Sequence, residues 1–152
     1  MLQQVCEFIH NYFIRTPYCG NYTIADGVIS PSVGLKDGQR FWITGSDLND
    51  GVYTYHESGI CDDDDNEAVG LHDETFAGTI CALSVPPAVI ALSAEIKEWV
   101  ETNSDALNSP YQSESFNGYS YSLKAGSGSG GAAFSWQNQF KSQLDRWRKV
   151  CL

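Results

Sequence analysis

The sequence lacks several features that would assign a function class directly. Its 152 residues contain no run of eighteen apolar side chains, so no segment is expected to span a membrane. Residues 1–7 have neither a basic start nor a continuous apolar stretch, and we expect no signal peptide. The five cysteines form no C-x-x-C pair, unlike a disulfide scaffold or zinc cluster. We therefore expect free thiols in a reducing cytoplasm, with Cys6 and Cys81 acting as small core residues.

Positive charge is also scarce, and it is unevenly placed. Residues 1–110 carry 4 basic and 17 acidic groups, a balance of −13, whereas residues 111–152 carry 5 basic and 2 acidic groups, a balance of +3. An acidic body repels nucleic acid. The asymmetry suits head-to-tail self-association, although on charge alone a soluble surface is the simpler explanation.

Apolar periodicity predicts a single α+β domain over residues 1–152. Apolar residues make up 42% of the chain, enough for a real core. Helical spacing predicts an N-terminal helix over residues 1–14, a middle helix over 86–103 and a C-terminal helix over 134–150. The helices should pack through one shared set of apolar residues: Ile9, Phe13, Ile96, Trp99, Phe140, Leu144 and Trp147.

Residues 20–84 are typical of a β-module, a small antiparallel sheet or open barrel. β-branched and aromatic residues between turn signals predict strands at 21–30, 40–44, 52–55 and 76–83. The first should turn at Asp26-Gly27, and Asp50-Gly51 should supply the turn between the next two. We expect this zone to bury a core of its own, formed by Ile24, Phe41, Ile43, Val52, Phe76 and Ile80.

Residues 111–152 should form an extended arm followed by the last helix. Residues 113–122 alternate aromatic and small polar side chains around Asn117-Gly118, which predicts an extended segment or a hairpin. Residues 125–133 are rich in glycine and serine and indicate a linker. They lack the G-K-[ST] ending of a phosphate-binding loop.

Chemical motifs are few, and they predict neither a metal site nor a cofactor. The run Asp62–Asp65 departs from the EF-hand pattern and is interpreted as a solvated loop without a specific ion. Cys61 lies between His56 and His72 in sequence, but no nucleophile motif surrounds it, so we expect no enzyme activity. A hydrolase using Cys61 with a histidine is kept as an alternative.

Aromatic residues of the β-module leave a second alternative open. Phe41-Trp42 and Tyr53-Thr54-Tyr55 could present a carbohydrate-stacking face, as in a binding module. The simpler interpretation is that one side of these strands packs on the helices while the other meets a neighbour.

Two stretches resemble tailed-bacteriophage head–tail connector proteins. Residues 113–122, S-E-S-F-N-G-Y-S-Y-S, resemble the family segment S-E-x-[I/F]-G-x-Y-S-[V/Y], with Asn117 as a departure before the glycine. Residues 38–46 and 49–54, G-Q-R-F-W-I-T-G-S and N-D-G-V-Y-T, resemble a β-module that recurs in phage structural proteins. Residues 85–92 and 147–149 are similar to the same prophage group. Better-known members of the family are mostly helical where this chain has its β-module.

The resemblance implies a structural subunit of a ring, commonly of twelve copies, at the neck of the virion. Such a ring is made in the bacterial host cytoplasm, docks on the portal protein and carries the next connector or the tail. DNA passes through its channel without specific binding, and neither a membrane nor a cofactor is involved. Another virion component, a stopper or tail terminator, is the nearest alternative.

Residues 111–152 are the expected assembly segment, because aromatic residues are enriched at interface cores and this segment alone is net positive. The candidate interface residues are Glu114, Phe116, Gly118, Tyr119, Tyr121, Arg146, Arg148 and Lys149.

Overall fold

The protein has an α+β fold, which confirms the predicted class. The computed structural model describes residues 1–108, 111–115, 120–123 and 135–149. A curled six-stranded antiparallel sheet is accompanied by helices from the start, middle and end of the chain. In chain order the elements are α1 (Leu2–Phe8), β1 (Ile14–Ala25), β2 (Val28–Ser30), β3 (Gln39–Thr44), β4 (Gly51–His56), β5 (Gly59–Cys61), β6 (Glu74–Leu83), α2 (Pro87–Thr102), α3 (Ser104–Asn108), β7 (Tyr111–Ser115), β8 (Ser120–Leu123), α4 (Trp136–Gln139) and α5 (Lys141–Asp145).

The six-stranded sheet has the order β2-β1-β6-β3-β4-β5, with every neighbouring pair antiparallel. The turn between β1 and β2 is the predicted one. Asp26 and Gly27 have φ values of 52° and 74°, the left-handed conformations of a two-residue hairpin turn. Strand β1 begins earlier than predicted, at Ile14. Pro17 lies within it, opposite Cys81 of β6 and beyond the part of β1 that pairs with β2.

The loop between β3 and β4 corrects one prediction. Gly51 lies in strand β4 and pairs with Ile43, so Asp50-Gly51 does not supply a positive-φ turn. The left-handed residue is Gly45, with a φ of 88°. Asp50 acts through its side chain instead: its carboxylate accepts hydrogen bonds from Gly45 N at 3.1 Å and from Trp42 Nε1 at 3.3 Å.

The sheet buries a core of its own, as predicted, except for one residue. Ile24, Phe41, Ile43, Phe76 and Ile80 form one cluster with Tyr22, Ile60 and Leu71. Val52 packs in a separate cluster with Cys81 and Leu83. Alternation along the strands explains the difference, because Val52 pairs with Trp42 and not with Phe41 or Ile43.

The helices share a second core, which confirms the predicted packing set. Leu2, Ile9, Ile96, Phe140 and Leu144 are buried together, with Phe13, Trp99 and Trp147 packed against them. Cys6 is a buried free thiol of this core, and burial raises its pKa to about 12. None of the helices in the described part of the chain is long and apolar enough to cross a bilayer.

The N-terminal and C-terminal helices differ from their predicted boundaries, whereas helix α2 agrees with the predicted range of residues 86–103. Helix α1 ends at Phe8 and not at residue 14, because His10 and Phe13 adopt positive φ values of 53° and 54°. The Asn11 side chain holds this turn by accepting a hydrogen bond from Phe13 N at 3.1 Å. The predicted C-terminal helix is divided into α4 and α5 at Phe140, whose φ of −102° and ψ of 12° are not helical. Helix α5 ends at Asp145, so the predicted helix is also too long at its carboxyl end. Residues 134 and 150 lie outside the described residues.

Candidate functional site

The predicted assembly segment contains a β-hairpin. Glu114 in β7 and Tyr121 in β8 are cross-strand partners in an antiparallel pair. Phe116, Gly118 and Tyr119 lie outside the described residues. The hairpin agrees with the alternating pattern of residues 113–122.

Strands β7 and β8 form a sheet of their own. In the described part of the chain they hydrogen-bond to each other and not to the six-stranded sheet. A two-stranded sheet is marginally stable in water unless it gains a third strand or packs on another surface. A third strand or a docked surface would therefore stabilise this pair of strands.

The three basic residues predicted at the interface lie at the end of the described chain, and all three are exposed. The Arg146 guanidinium lies 5.0 Å from the centre of the Trp147 ring, and the Arg148 guanidinium lies at the same distance over Phe8. Arg148 is also 3.6 Å from the Asp145 carboxylate. Lys149 N donates a hydrogen bond to Ile9 O at 3.0 Å, which fixes this backbone to the end of α1.

The same basic segment borders a shallow groove of about 390 Å³ against helix α2. Leu92 and Trp147 line the groove with apolar surface, and Glu95 and Arg146 add charged groups to its lining. The structure thus brings Arg146 and α2 together, a proximity that the sequence did not indicate.

The aromatic residues considered for carbohydrate stacking are largely engaged within the protein. Phe41 is fully buried, and Trp42 stacks on Tyr12 with a ring separation of 4.1 Å and an interplanar angle of 6°. Tyr53 packs against Phe41 at 5.7 Å. Tyr55 borders a cleft. These contacts leave no flat row of exposed rings among the four residues.

Two residues of the acidic run Asp62–Asp65 are part of the fold, so the expectation of a solvated loop is wrong for Asp63 and Asp64. The Asp63 side chain is only 17% exposed and accepts a hydrogen bond from Gln3 N at 2.7 Å. Asp64 is 13% exposed and accepts from Leu2 N at 3.3 Å and from Lys97 Nζ at 3.1 Å. Both carboxylates therefore stabilise the amino end of α1, where backbone N–H groups lack helical partners.

A cluster of ionisable side chains lies where this loop meets the β4–β5 hairpin. His56 Nε2 is 2.6 Å from Asp65 Oδ1, and His56 Nδ1 is 3.2 Å from Asp37 Oδ1. The three residues His56, Cys61 and Asp65 each offer one possible metal-ligand atom, and these three atoms all lie within 4.8 Å of one another. His56 and Cys61 are partly buried, and Asp65 is exposed.

The surrounding hydrogen bonds favour the charged forms of two residues, His56 and Asp37. The hydrogen bond to Asp65 raises the pKa of His56, burial opposes this, and Asp37 adds to the increase. The pKa of Asp37 is lowered by a hydrogen bond from Glu57 N and by His56. Both ring nitrogens of His56 thus have carboxylate partners. This arrangement leaves neither nitrogen to accept the Cys61 proton, as a thiol–imidazole nucleophile requires.

The cluster borders a cleft of about 650 Å³ between the β1–β2 turn, residues 32–35 and the β4–β5 hairpin. Val28, Ile29 and Ile60 give the cleft apolar walls, and His56 and Glu57 add polar groups.

Sequence reasoning missed this cluster, although part of its signal is local. The stretch H-E-S-G-I-C places a glycine between His56 and Cys61, and Gly59 has a φ of 151° at the turn. In the β4–β5 register Thr54 pairs with Cys61, so Cys61 lies on the same face as His56, two residues along. A search for hairpin turns flanked by metal-binding residue types would have found this pair.

Comparison with protein-family models, with curated proteins and with solved structures finds no match to this chain.

Proposed function

We propose that this chain is a non-enzymatic subunit of a tailed-bacteriophage head–tail connector ring that docks on the portal protein. The observation that carries the proposal is the separate β7–β8 sheet. The segment that bears the connector resemblance forms a two-stranded unit with Glu114 opposite Tyr121.

The separate sheet supports an interface role for a physical reason. A lone hairpin gains stability when it receives a further strand or docks its side chains on a partner. Residues 111–121 include Tyr111, Phe116, Tyr119 and Tyr121, and aromatic residues are enriched in interface cores. Docking on a neighbouring copy or on the portal would supply such a partner.

The charge pattern supports a ring in which the two contacting surfaces differ. Arg146, Arg148 and Lys149 are exposed cations, and Glu98 and Glu101 are exposed acids on α2. A ring with cyclic symmetry joins one surface of each subunit to a different surface of the next. Opposite charges on the two surfaces favour this orientation over the reverse.

The proposed role needs interfaces and no catalytic pocket. Its proposed partners are other copies of the chain, the portal protein and the next connector or tail protein. DNA would pass through the channel without specific binding. The acidic body supports that last point, because a wall of negative charge repels the phosphate backbone. The proposed location is the neck of the virion.

The test combines the purified chain with its proposed partner, a portal protein, and counts rings by electron microscopy. A Tyr119→Ala/Tyr121→Ala variant should stay folded and fail to join the portal, because loss of aromatic anchors costs an interface about 2 kcal/mol or more. Normal assembly of this variant would contradict the role of the hairpin. Its unfolding would place the hairpin in the monomer core.

A second variant tests the basic segment with a matched control. Arg146→Ala/Lys149→Ala removes two exposed cations and keeps Arg148, which packs on Phe8. Portal association should weaken, and its dependence on salt should decrease. Arg15→Ala removes an exposed cation from β1 and should change neither quantity. Equal behaviour of the two variants would argue against a basic contact surface.

A further inference from the structure

We propose that His56, Cys61 and Asp65 form a binding site for a thiophilic divalent metal ion, with Zn²⁺ as the best fit. The inference concerns the β4–β5 hairpin and does not depend on the connector proposal.

The distances place the three ligand atoms close to metal-binding geometry. They lie within 4.8 Å of one another, and His56 Nε2 and Asp65 Oδ1 are already 2.6 Å apart. Zinc bonds of about 2.0 Å to nitrogen and 2.3 Å to sulfur put tetrahedral ligands about 3.3 to 3.8 Å apart. The sulfur must therefore approach by about 1 Å and the His–Asp pair must open slightly, changes within the range of side-chain rotation.

The backbone holds the ligands in place from two directions. His56 and Cys61 come from adjacent strands of one short hairpin and share a face of the sheet. Asp65 comes from the following loop, where Asp65 N donates to Asp62 O at 3.2 Å. The Thr54 hydroxyl also donates to Asp62 O, at 3.0 Å, which ties the loop to β4. The site is thus assembled from elements that are already bonded to each other.

Asp37 provides the second, independent indication of a metal site. Metal-binding histidines characteristically donate their other ring N–H to a carboxylate, which fixes the ring and its tautomer. His56 Nδ1 lies 3.2 Å from Asp37 Oδ1, and the same oxygen accepts a hydrogen bond from Glu57 N at 3.1 Å. Asp37 is therefore positioned to orient His56 with Nε2 toward the ion.

The donor set selects the class of metal. A thiolate, an imidazole and one carboxylate suit Zn²⁺ or a similar transition metal, whereas Ca²⁺ and Mg²⁺ require an all-oxygen shell. Three protein ligands leave a fourth position for water. Asp65 is exposed, so water can reach this position from solvent.

Without a metal, the same geometry is an imidazole hydrogen-bonded to two carboxylates. The metal site and the metal-free hydrogen-bonded cluster predict different results. The test uses the full chain without a histidine tag, stripped with a chelator and titrated with Co²⁺. We expect saturation at one ion per chain with a thiolate-to-cobalt absorption band. Zn²⁺ should displace the Co²⁺ and bleach that band.

Variants of each ligand then identify the site. Cys61→Ser should abolish the thiolate band, whereas Cys19→Ser, which alters an exposed thiol on β1, should keep it. Asp37→Asn should weaken affinity roughly 10- to 100-fold while keeping the band. Asp65→Asn, at an exposed position, should weaken binding and leave the circular dichroism spectrum unchanged. Absence of saturable binding, or a band that survives in Cys61→Ser, would overturn the proposal.

Discussion

The Asp64 carboxylate lies 3.1 Å from the Lys97 ammonium, and this ion pair joins the loop after β5 to helix α2. The other oxygen of Asp64 accepts a hydrogen bond from Leu2 N at 3.3 Å. Burial alone would raise the pKa of Asp64. The hydrogen bond from the Lys97 ammonium and the positive charge of the Met1 amino group lower this pKa overall. One acidic residue therefore links the two helices to the sheet.

We expect Asp64→Asn to lower the free energy of unfolding by about 1 kcal/mol, the usual effect of losing a charged contact at a helix start. The amide keeps the shape of the side chain but weakens its contacts with Leu2 and Lys97. Urea titration measures the change. Asp47→Asn, at an exposed carboxylate, serves as the control and should stay within about 0.5 kcal/mol of the parent. Equal losses in both variants would mean that Asp64 has no special role.

Glu74 predicts a pH dependence of stability. Its carboxylate accepts hydrogen bonds from Ser46 Oγ at 2.5 Å, Asn49 Nδ2 at 2.9 Å and Asp47 N at 2.9 Å. These bonds, with the Ser46 bond first, lower the folded-state pKa of Glu74. Its unfolded pKa is therefore higher, so the stabilisation is complete above the unfolded value of about 4.3 and is lost as pH falls through the folded value.

In Glu74→Gln the drop in stability on acidification should be smaller than in the parent protein. Denaturant midpoints between about pH 6 and pH 3 measure it. Glu98→Gln, on the exposed face of α2, should leave the pH profile unchanged. A parent-like profile in Glu74→Gln would contradict the assignment.

The features predicted correctly from sequence rest on local signals. Helix α2 follows from the spacing of Val89, Leu92 and Ile96, all of which are buried. The β1–β2 turn follows from Asp26-Gly27, because that dipeptide tolerates positive φ at both positions. In both cases the residues that give the sequence signal are the same residues that form the helix or the turn.

The predictions that failed depended on contacts between distant parts of the chain. The left-handed residue of the β3–β4 loop is Gly45, and a Cβ there would lie 3.2 Å from Gly78 Cα, an approach that no local pattern reveals. Phe13 continues the apolar spacing of α1, yet it lies outside the helix and packs on Trp147 at 6.1 Å. The local sequence predicts that Asp64 is a solvated acid, because its ion pair with the distant Lys97 leaves no local signal.

Gly78 should be intolerant of a side chain. A Cβ at this position would overlap the Thr44 carbonyl oxygen and would lie 3.0 Å from the Phe76 ring. Because β6 is the central strand between β1 and β3, the backbone cannot move away freely. We expect Gly78→Ala to destabilise the fold by about 1–3 kcal/mol in thermal unfolding. Gly70→Ala is the control, since a Cβ there meets nothing within 4 Å. A neutral Gly78→Ala would show that the strands can separate.

Residues 62–65 should bind no specific Ca²⁺. The carboxylates of Asp63 and Asp64 already accept hydrogen bonds from Gln3 N and Leu2 N, so they are not available to converge on an ion. Calorimetry with Ca²⁺ should give no saturable heat at micromolar to millimolar concentrations. A stoichiometric isotherm would contradict this prediction.

Leu144 tests whether the end of the chain belongs to the core or only to the assembly segment. It is fully buried beside Ile9 and Leu92, although it lies in the short helix α5 within residues 111–152. Truncation would leave a cavity, so we expect Leu144→Ala to cost about 2–5 kcal/mol in urea unfolding followed by tryptophan fluorescence. Gln143→Ala, at an exposed position of the same helix, should cost less than about 0.5 kcal/mol.

The result of this comparison decides how the assembly segment is divided. A large loss in Leu144→Ala with little change in Gln143→Ala assigns α5 to the subunit core. The interface would then be limited to the β7–β8 hairpin and to exposed cations such as Lys149. Equal, small losses would show that α5 does not hold its buried position in solution. The whole of residues 111–152 would then be available to order on a partner.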